Sequence, residues 1–142
     1  VYKARLGGKA AFTTVQHHYN AAWREDERDL IPFAQSEGMG LLPYSPVARG
    51  FFAGPGVRDT ERARTDEYIG QWYGRKEDAD VANAVAGVAA KRGLSSAQTA
   101  LAWVHTASPG SVPVVGTQSI DHLDSMLAAS ELTLSAEEMA EI

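Results

Sequence analysis

The sequence predicts an α/β fold made of three βα units with parallel strands. Three β-prone or apolar runs, at residues 13–19, 39–45 and 112–116, are each followed by a stretch with helical spacing of apolar residues. This alternation is typical of a parallel sheet with right-handed crossovers. In such sheets the functional site lies beyond the carboxyl ends of the strands.

The amino-acid composition argues against several classes of protein. The 142 residues carry a formal charge of −5 and are 44% hydrophobic, as expected of a globular domain. No apolar run is long enough for a membrane helix, and no signal peptide is visible. The absence of cysteine excludes disulfides and thiolate metal sites and fits a cytoplasmic location. The acidic balance argues against a nucleic-acid partner.

Both ends of the chain have the pattern of interrupted helices. Residues 1–8 combine a basic helix end with two glycines, the residue type that commonly follows a helix. Near the other end, Ser135 and Glu138 form a capping box that is followed by few residues. We therefore expect a piece of a longer protein, and the alternative is a complete small domain with frayed ends.

The amino-terminal part contains two strand patterns around one helix. Residues 13–19 are β-branched or aromatic in large part and predict a strand. Gly38 is expected to end the following helix. The apolar face expected for that helix consists of Leu30, Phe33 and Ala34. Residues 39–45 predict a buried strand, and residues 46–78, which mix glycine, proline and charges, predict a long loop.

The carboxyl-terminal part predicts two helices, a strand and a third helix. The first helix is expected to end at Gly93, and the next begins with a capping box of Ser95 and Gln98. The buried stripe of the first consists of Val81, Val85 and Val88. Residues 112–116 predict the third strand, and Ser119 is expected to cap the last of these helices. Its inward residues are predicted to be Ile120, Leu123, Met126 and Leu127.

Three segments at the predicted carboxyl ends of the strands form the candidate site: residues 16–20, 44–54 and 116–122. His17 and His18 alternate across a strand, so they are expected on opposite faces and not as joint metal ligands. The acidic run at residues 25–27 is interpreted as a solvated helix start. Trp72 and Tyr73 either line a pocket or anchor the predicted loop.

Three motifs carry a resemblance to a known family. Val-Gln-His-His-Tyr-Asn at residues 15–20 resembles that family's sixth strand, and Tyr-Ser-Pro-Val-Ala-Arg-Gly at residues 44–50 resembles the loop after its seventh. Residues 100–104 and 112–117 resemble its last helix and strand. In this order the motifs resemble the carboxyl-terminal half of an aldo-keto reductase. The resemblance implies that residues 1–142 are a partial domain, namely strands six to eight of a (β/α)8 TIM barrel.

The resemblance also implies NAD(P)H-dependent reduction of a small carbonyl compound, an aldehyde, ketone or sugar. Gln16 matches the residue that holds the nicotinamide carboxamide, and Tyr44 matches the aromatic residue that stacks on the nicotinamide ring. The matching pyrophosphate loop consists of Ser45, Pro46, Val47, Ala48 and Gly50. The alternatives that involve no cofactor are a Gln16 side chain hydrogen-bonded to the backbone, a Tyr44 ring packed at the strand end, and an ordinary turn at residues 45–50.

The segment matching the adenosine 2′-phosphate site departs from the family pattern. The matched residues are Gly116, Thr117, Gln118 and His122. Ser119 offers a further hydroxyl at a helix N-terminus, which favours anions. No permanent cation occupies these positions, although Arg49 could reach over. The resemblance implies NADP(H) as the cofactor, and the missing cation makes NAD(H) possible. The alternative is a segment that only caps a helix.

The family's catalytic tetrad of Asp, Tyr, Lys and His precedes its sixth strand. The resemblance therefore assigns no catalytic residue within residues 1–142, and we expect this piece to be inactive alone. Two other interpretations stay open. One is a non-catalytic regulatory or binding subunit of the same superfamily, and the other is a self-standing binding module whose dimer covers the open sheet edges.

Overall fold

A parallel pair of strands forms the sheet of this protein. The computed structural model describes residues 1–53, 66–117 and 119–142. Within them, β1 (Thr14–His18) pairs with β2 (Gly40–Tyr44). Gln16 lies opposite Leu42 and His18 opposite Tyr44. The parallel pairing predicted for these two strands is confirmed.

The third strand predicted at residues 112–116 is wrong in its extent, because only Val114 forms a bridge, parallel to Tyr44. The backbone N–H groups of Val112 and Val114 donate to the carbonyl oxygens of Leu41 and Pro43, at 2.9 and 2.7 Å. A parallel ladder also requires N–H groups from β2 in return. Pro43 has none to give, so the pairing is reduced to one bridge.

Helices make up most of the rest of the described chain. They are α1 (Tyr2–Leu6), α2 (Leu30–Ser36), α3 (Glu67–Trp72), α4 (Lys76–Arg92), α5 (Ser96–Ala107), α6 (Ile120–Ala129) and α7 (Ala136–Glu141). Short 3₁₀ segments occupy Glu25–Glu27 and Ala48–Ala53. Among the described helices, none combines the length and apolar character needed to cross a membrane.

Local capping signals are confirmed. The Ser95 side chain accepts from the Gln98 N–H at 3.1 Å and begins α5, and Ser135 accepts from the Glu138 N–H to begin α7. Gly93 ends α4 in the left-handed region, with φ of 66°. These signals depend on residues three or four positions apart, so the sequence carries them directly.

Two predicted helix faces are correct only in part. In α2, Ala34 is buried and Leu30 is half-buried as predicted, whereas Phe33 is 42% exposed and Ile31 is buried in its place. In α6, which contacts α5, Met126 is half-buried and Ala129 is buried. The other residues predicted to point inward are exposed: Ile120, Leu123 and Leu127.

The long loop predicted over residues 46–78 is also wrong where the structure describes it. A 3₁₀ segment, α3 and the start of α4 lie there. Asp66 caps α3 by accepting from the Tyr68 N–H, and Asp78 accepts from the Arg75 N–H at the start of α4. Gly70 lies within α3, so a glycine was not a break here. Residues 54–65 of the predicted loop lie outside the described residues.

The core lies where the end of β1, the segment Ala48–Ala53 and helices α4 and α5 meet. Its largest buried side chains include Tyr19, Phe52, Val85, Val88, Trp103 and Val104. The core therefore fixes the carboxyl end of β1 and the segment after β2 relative to one another.

Candidate functional site

The predicted site segments meet at one edge of the sheet, here called the strand-end edge. It consists of the carboxyl ends of β1 and β2 and the residues that follow Val114. Gln16 and His18 share a face of the sheet with Tyr44, since alternate residues point the same way. Tyr44 also bridges Val114, which places Gly116 at the same edge. The topology therefore brings all three segments together.

Gln16 and Tyr44 differ in exposure. The Gln16 side chain is exposed, and no hydrogen bond joins its amide to any other part of the described chain. Within the described chain, the Gln16 amide is therefore not hydrogen-bonded to the backbone. Tyr44 is half-buried at the last position of β2 and stacks on His18.

The loop of residues 45–50 follows Tyr44 directly and is tightly wound. Ser45, Ala48 and Arg49 have positive φ angles of 54°, 49° and 57°, and Gly50 has 96°. The Ala48 N–H donates to the Ser45 carbonyl and the Gly50 N–H to that of Val47, at 2.9 and 3.0 Å. Positive φ is uncommon for residues other than glycine, and such strain concentrates at functional sites.

Burial separates the residues of this loop into two groups. Pro46 and Ala48 are fully buried, so their side chains anchor the loop to the core. Ser45, Val47 and Gly50 are half-buried and lie closer to solvent. A bound ligand would therefore meet the loop through these three residues and through backbone groups.

Arg49 ties the same loop to α3. Its Nε donates to the Asp66 carboxylate at 2.7 Å. Its guanidinium also lies 5.4 and 5.6 Å from the ring centroids of Tyr68 and Trp72. Arg49, the cation that could reach over to a bound phosphate, therefore already pairs with the Asp66 carboxylate.

His18 lies in a cluster of aromatic rings. Its imidazole stacks with the rings of Trp23 and Tyr44, at centroid distances of 4.7 and 5.0 Å. Trp72 lies at 4.9 Å in a tilted arrangement, and Tyr73 meets the imidazole edge-on at 6.0 Å. Of the two roles considered for Trp72 and Tyr73, anchoring describes Tyr73, which is 4% exposed.

A buried amide connects this cluster to the 45–50 loop. The Nδ2 of Asn20 donates to the Ser45 carbonyl oxygen and to the Tyr73 hydroxyl, both at 3.0 Å. Its Oδ1 accepts from the N–H groups of Ala22 and Trp23, which fixes the orientation of the amide. Asn20 itself is fully buried.

The Tyr73 hydroxyl completes the network. It lies 2.7 Å from Nε2 of His18. Because Asn20 donates to the Tyr73 oxygen, the hydroxyl hydrogen is directed at Nε2, which accepts it as a neutral imidazole. Asn20 lies in the predicted site segment 16–20 but had no assigned role, and Tyr73 was considered only for lining a pocket or anchoring a loop, because only the fold brings these two residues to Ser45 and His18.

Burial keeps His18 neutral. Desolvation lowers the pKa of His18 from 6.5 to about 4, with Arg49 and His17 contributing in the same direction and Asp26 opposing them. Burial also raises the pKa of Tyr73 to about 12. Near neutral pH both groups are therefore uncharged, and the network between them consists of neutral hydrogen bonds.

His17 lies on the opposite face of β1, as predicted. Its Nδ1 is 3.0 Å from a carboxylate oxygen of Asp26, and its ring stacks on Tyr19 at 5.6 Å. The two adjacent histidines therefore have separate environments. Among the residues that the structure describes, no group of three or more potential metal ligands is found.

The third segment begins α6. The Ser119 hydroxyl accepts from the His122 N–H at 3.5 Å, and the Thr117 hydroxyl donates to the Ser119 carbonyl at 3.2 Å. Gly116, Thr117 and His122 are exposed. Gln118, also predicted as a site residue, lies outside the described residues. The exposed helix N-terminus suits an anion.

Comparison with known proteins identifies the family. The model of the aldo/keto reductase family matches residues 1–142, and the chain belongs to this family. Versiconal hemiacetal acetate reductase of Aspergillus parasiticus is 36% identical over 132 residues, which cover 90% of this chain and 38% of that protein. A putative aryl-alcohol dehydrogenase of Saccharomyces cerevisiae is 36% identical over 131 residues, again covering 90% and 38%.

Solved structures agree with this assignment. An aldo/keto reductase from Klebsiella pneumoniae, crystallised with NADP and acetate, is 27% identical with a TM-score of 0.65. The match covers 91% of this chain and 38% of that one. The chain thus spans well under half the length of the relatives that it matches.

Proposed function

We propose that this chain forms the carboxyl-terminal part of a (β/α)8 barrel, strands six to eight, and carries most of its NADP(H) site. The complete protein would reduce the carbonyl group of a small aldehyde, ketone or sugar. One observation carries the proposal: the strained loop of residues 45–50 begins directly at Tyr44, at the edge where the parallel strands end. NAD(H) is the alternative cofactor.

The residues at this edge suit the parts of the cofactor. The amide of Gln16, which has no hydrogen-bond partner within the described ranges of the chain, can both donate to and accept from a carboxamide. Tyr44 offers a ring for the nicotinamide, and the half-buried Ser45, Val47 and Gly50 offer backbone to the pyrophosphate. Pro46 and Ala48 support the same loop from the core.

The start of α6 would receive the adenosine 2′-phosphate. Gly116, Thr117, Gln118 and His122 are the proposed contacts, and a Cβ at Gly116 would meet nothing within 4 Å. The bound cofactor supplies hydride, whereas the residues of this chain bind and orient it. We assign no catalytic role to any of them, and we propose a cytoplasmic location on the absence of cysteine.

Cofactor titration tests the proposal. Protein expressed from the whole reading frame is titrated with NADPH while tryptophan fluorescence is recorded. We expect saturable quenching, and we expect Tyr44→Ala to weaken binding about tenfold through loss of ring stacking. Tyr2→Ala is the matched control, because Tyr2 is 67% exposed on α1. No quenching with wild-type protein, or equal affinity in Tyr44→Ala, would refute the proposed site.

A turnover assay tests the proposal that residues 1–142 bind the cofactor but carry no catalytic residue. Oxidation of NADPH with 4-nitrobenzaldehyde is followed for the whole protein and for residues 1–142 alone. We expect turnover only with the whole protein, since general acid catalysis and positioning contribute many orders of magnitude. Turnover by residues 1–142 above a buffer blank would show that this chain carries catalytic groups. Cofactor binding without turnover by the whole protein would favour the regulatory subunit.

A further inference from the structure

We propose that His18 is a positioning residue for the cofactor. Its imidazole stacks on one face of the Tyr44 ring and holds that ring so that its other face can contact the nicotinamide. The inference rests on the proposed NADP(H) site. It adds a residue that contacts no reacting atom and acts only through Tyr44.

The stacking geometry is the first support. His18 and Tyr44 are directly opposite one another in the β1–β2 register, on one face of the sheet. Their rings are 5.0 Å apart with an interplanar angle of 12°, and Trp23 also stacks on His18, at 4.7 Å and 20°. The imidazole is therefore held by stacking contacts with two aromatic rings, one of which is Tyr44.

The second support is that His18 cannot easily turn. It is 8% exposed, its Nε2 is held by the Tyr73 hydroxyl at 2.7 Å, and Trp72 lies against it at 4.9 Å. The Tyr73 hydroxyl is in turn held by the buried Asn20 amide. Because the imidazole is fixed by both stacking and hydrogen bonding, it can fix the phenol ring that packs on it.

The third support is the asymmetry of Tyr44. Among the aromatic rings that the structure describes, His18 is the one in contact with Tyr44. One face of the phenol ring is therefore covered by His18, and the half-buried Tyr44 side chain keeps part of its surface accessible to a ligand. A neutral imidazole behind the phenol also avoids placing a positive charge near an oxidised nicotinamide, which is itself cationic.

Three variants of the whole protein separate stacking from hydrogen bonding. His18→Leu removes the aromatic ring, His18→Phe keeps a ring without the acceptor, and Tyr73→Phe removes only the hydroxyl. We expect Kd for NADPH to rise about tenfold in His18→Leu and less than about threefold in His18→Phe and Tyr73→Phe. We also expect KM for NADPH to follow Kd more closely than kcat does.

His17→Leu is the matched control. His17 is equally buried on the same strand but contacts Tyr19 and Asp26 on the opposite face. It should lose stability, measured as Tm, without a change in Kd. A purely structural role for His18 predicts instead that Kd follows Tm in every variant, and that outcome would overturn the proposal.

The remaining outcomes are also decisive. Wild-type affinity in His18→Leu, or an equal loss of NADPH affinity in His18→Leu and His18→Phe, contradicts the inference. The proposed function is unaffected by these results as long as the wild-type protein binds NADPH. If His18→Leu does not fold, His18→Gln removes the ring in its place: a rise in Kd of about tenfold supports ring stacking, and wild-type affinity in His18→Gln or a tenfold loss in His18→Phe contradicts it. Failure of the wild type to bind NADPH refutes both proposals.

Discussion

The side-chain amide of Asn20 donates a hydrogen bond to the carbonyl oxygen of Ser45 at 3.0 Å. This contact joins the turn after β1 to the strained loop after β2. The same amide also holds the Tyr73 hydroxyl, and its oxygen accepts from two backbone N–H groups. One fully buried side chain therefore fixes three segments at the strand-end edge.

Asn20→Ala is expected to destabilise the protein by about 2–4 kcal/mol, because several buried polar partners lose their hydrogen bonds at once. Urea unfolding at pH 7 measures the change. Asn83→Ala is the matched control, since Asn83 is exposed on α4 and alanine favours a helix. A loss below about 0.5 kcal/mol in Asn20→Ala would mean that water replaces the amide and that the network does not hold the loop.

The low pKa of His18 predicts a pH-dependent stability. The pKa is about 4 in the folded protein and 6.5 as the ordinary value, so the unfolded chain binds the proton more readily. The contribution is fully present above pH 6.5 and is lost as the pH falls towards 4. Its size is at most about 3 kcal/mol.

The difference between wild type and His18→Phe isolates this contribution, because the other titrating groups are common to both proteins. We expect the free energy of unfolding of the wild type to fall more steeply from pH 7 to pH 4.5 than that of His18→Phe. Urea unfolding at four or five pH values provides both curves. Parallel curves would show that His18 is not desolvated in the folded protein.

The sequence predicted those features that depend on neighbouring residues. The caps of α5 and α7 and the glycine that ends α4 need only a few adjacent positions. The faces of α2 and α6 were predicted correctly only in part, because burial of Phe33 or Ile120 depends on which element packs against the helix. The third strand was overestimated because the missing N–H belongs to Pro43, on a different strand.

The candidate site divides in the same way. Tyr44 and the 45–50 loop follow from a contiguous motif. Asn20 lies 25 residues from Ser45 and 53 from Tyr73, so no local pattern indicates that they interact. His18 was placed in the site segment 16–20 and on the face opposite His17, but its aromatic environment comes from residues of other segments.

Two glycines of α4 predict opposite effects of the same substitution. Gly87 lies within the helix, where an added Cβ meets nothing within 4 Å. Gly87→Ala should stabilise the protein by about 0.5–1 kcal/mol. Gly93 follows the helix with φ of 66°, a conformation that disfavours alanine. Gly93→Ala should destabilise it by about 1 kcal/mol. Thermal unfolding of both variants measures these changes in stability. Destabilisation by Gly87→Ala would contradict the prediction that an added Cβ fits there without a clash.

The last prediction concerns cofactor choice at the start of α6. A 2′-phosphate carries nearly two negative charges and is usually met by arginine, which binds it bidentately. The described residues here include Gly116, Thr117 and Ser119, and the first turn of α6 carries the exposed Asp121 and His122. Arg49 is already paired with Asp66. Hydroxyls and a helix N-terminus hold a phosphate more weakly than a charge-assisted pair, so we expect NADPH to be preferred over NADH by only about tenfold.

His122→Arg should raise that preference by a further factor of about ten, since it adds a permanent cation with fork geometry beside the proposed phosphate position. The ratio of kcat/KM values for NADPH and NADH, measured on the whole protein, provides the test. Ser130→Arg is the matched control, because it adds the same charge at the other end of α6, where Ser130 is exposed. A wild-type ratio above roughly a thousand that His122→Arg leaves unchanged would mean that a cation elsewhere already binds the phosphate. Equal effects of the two arginines would instead indicate a general attraction of the anionic cofactor and no contact at His122.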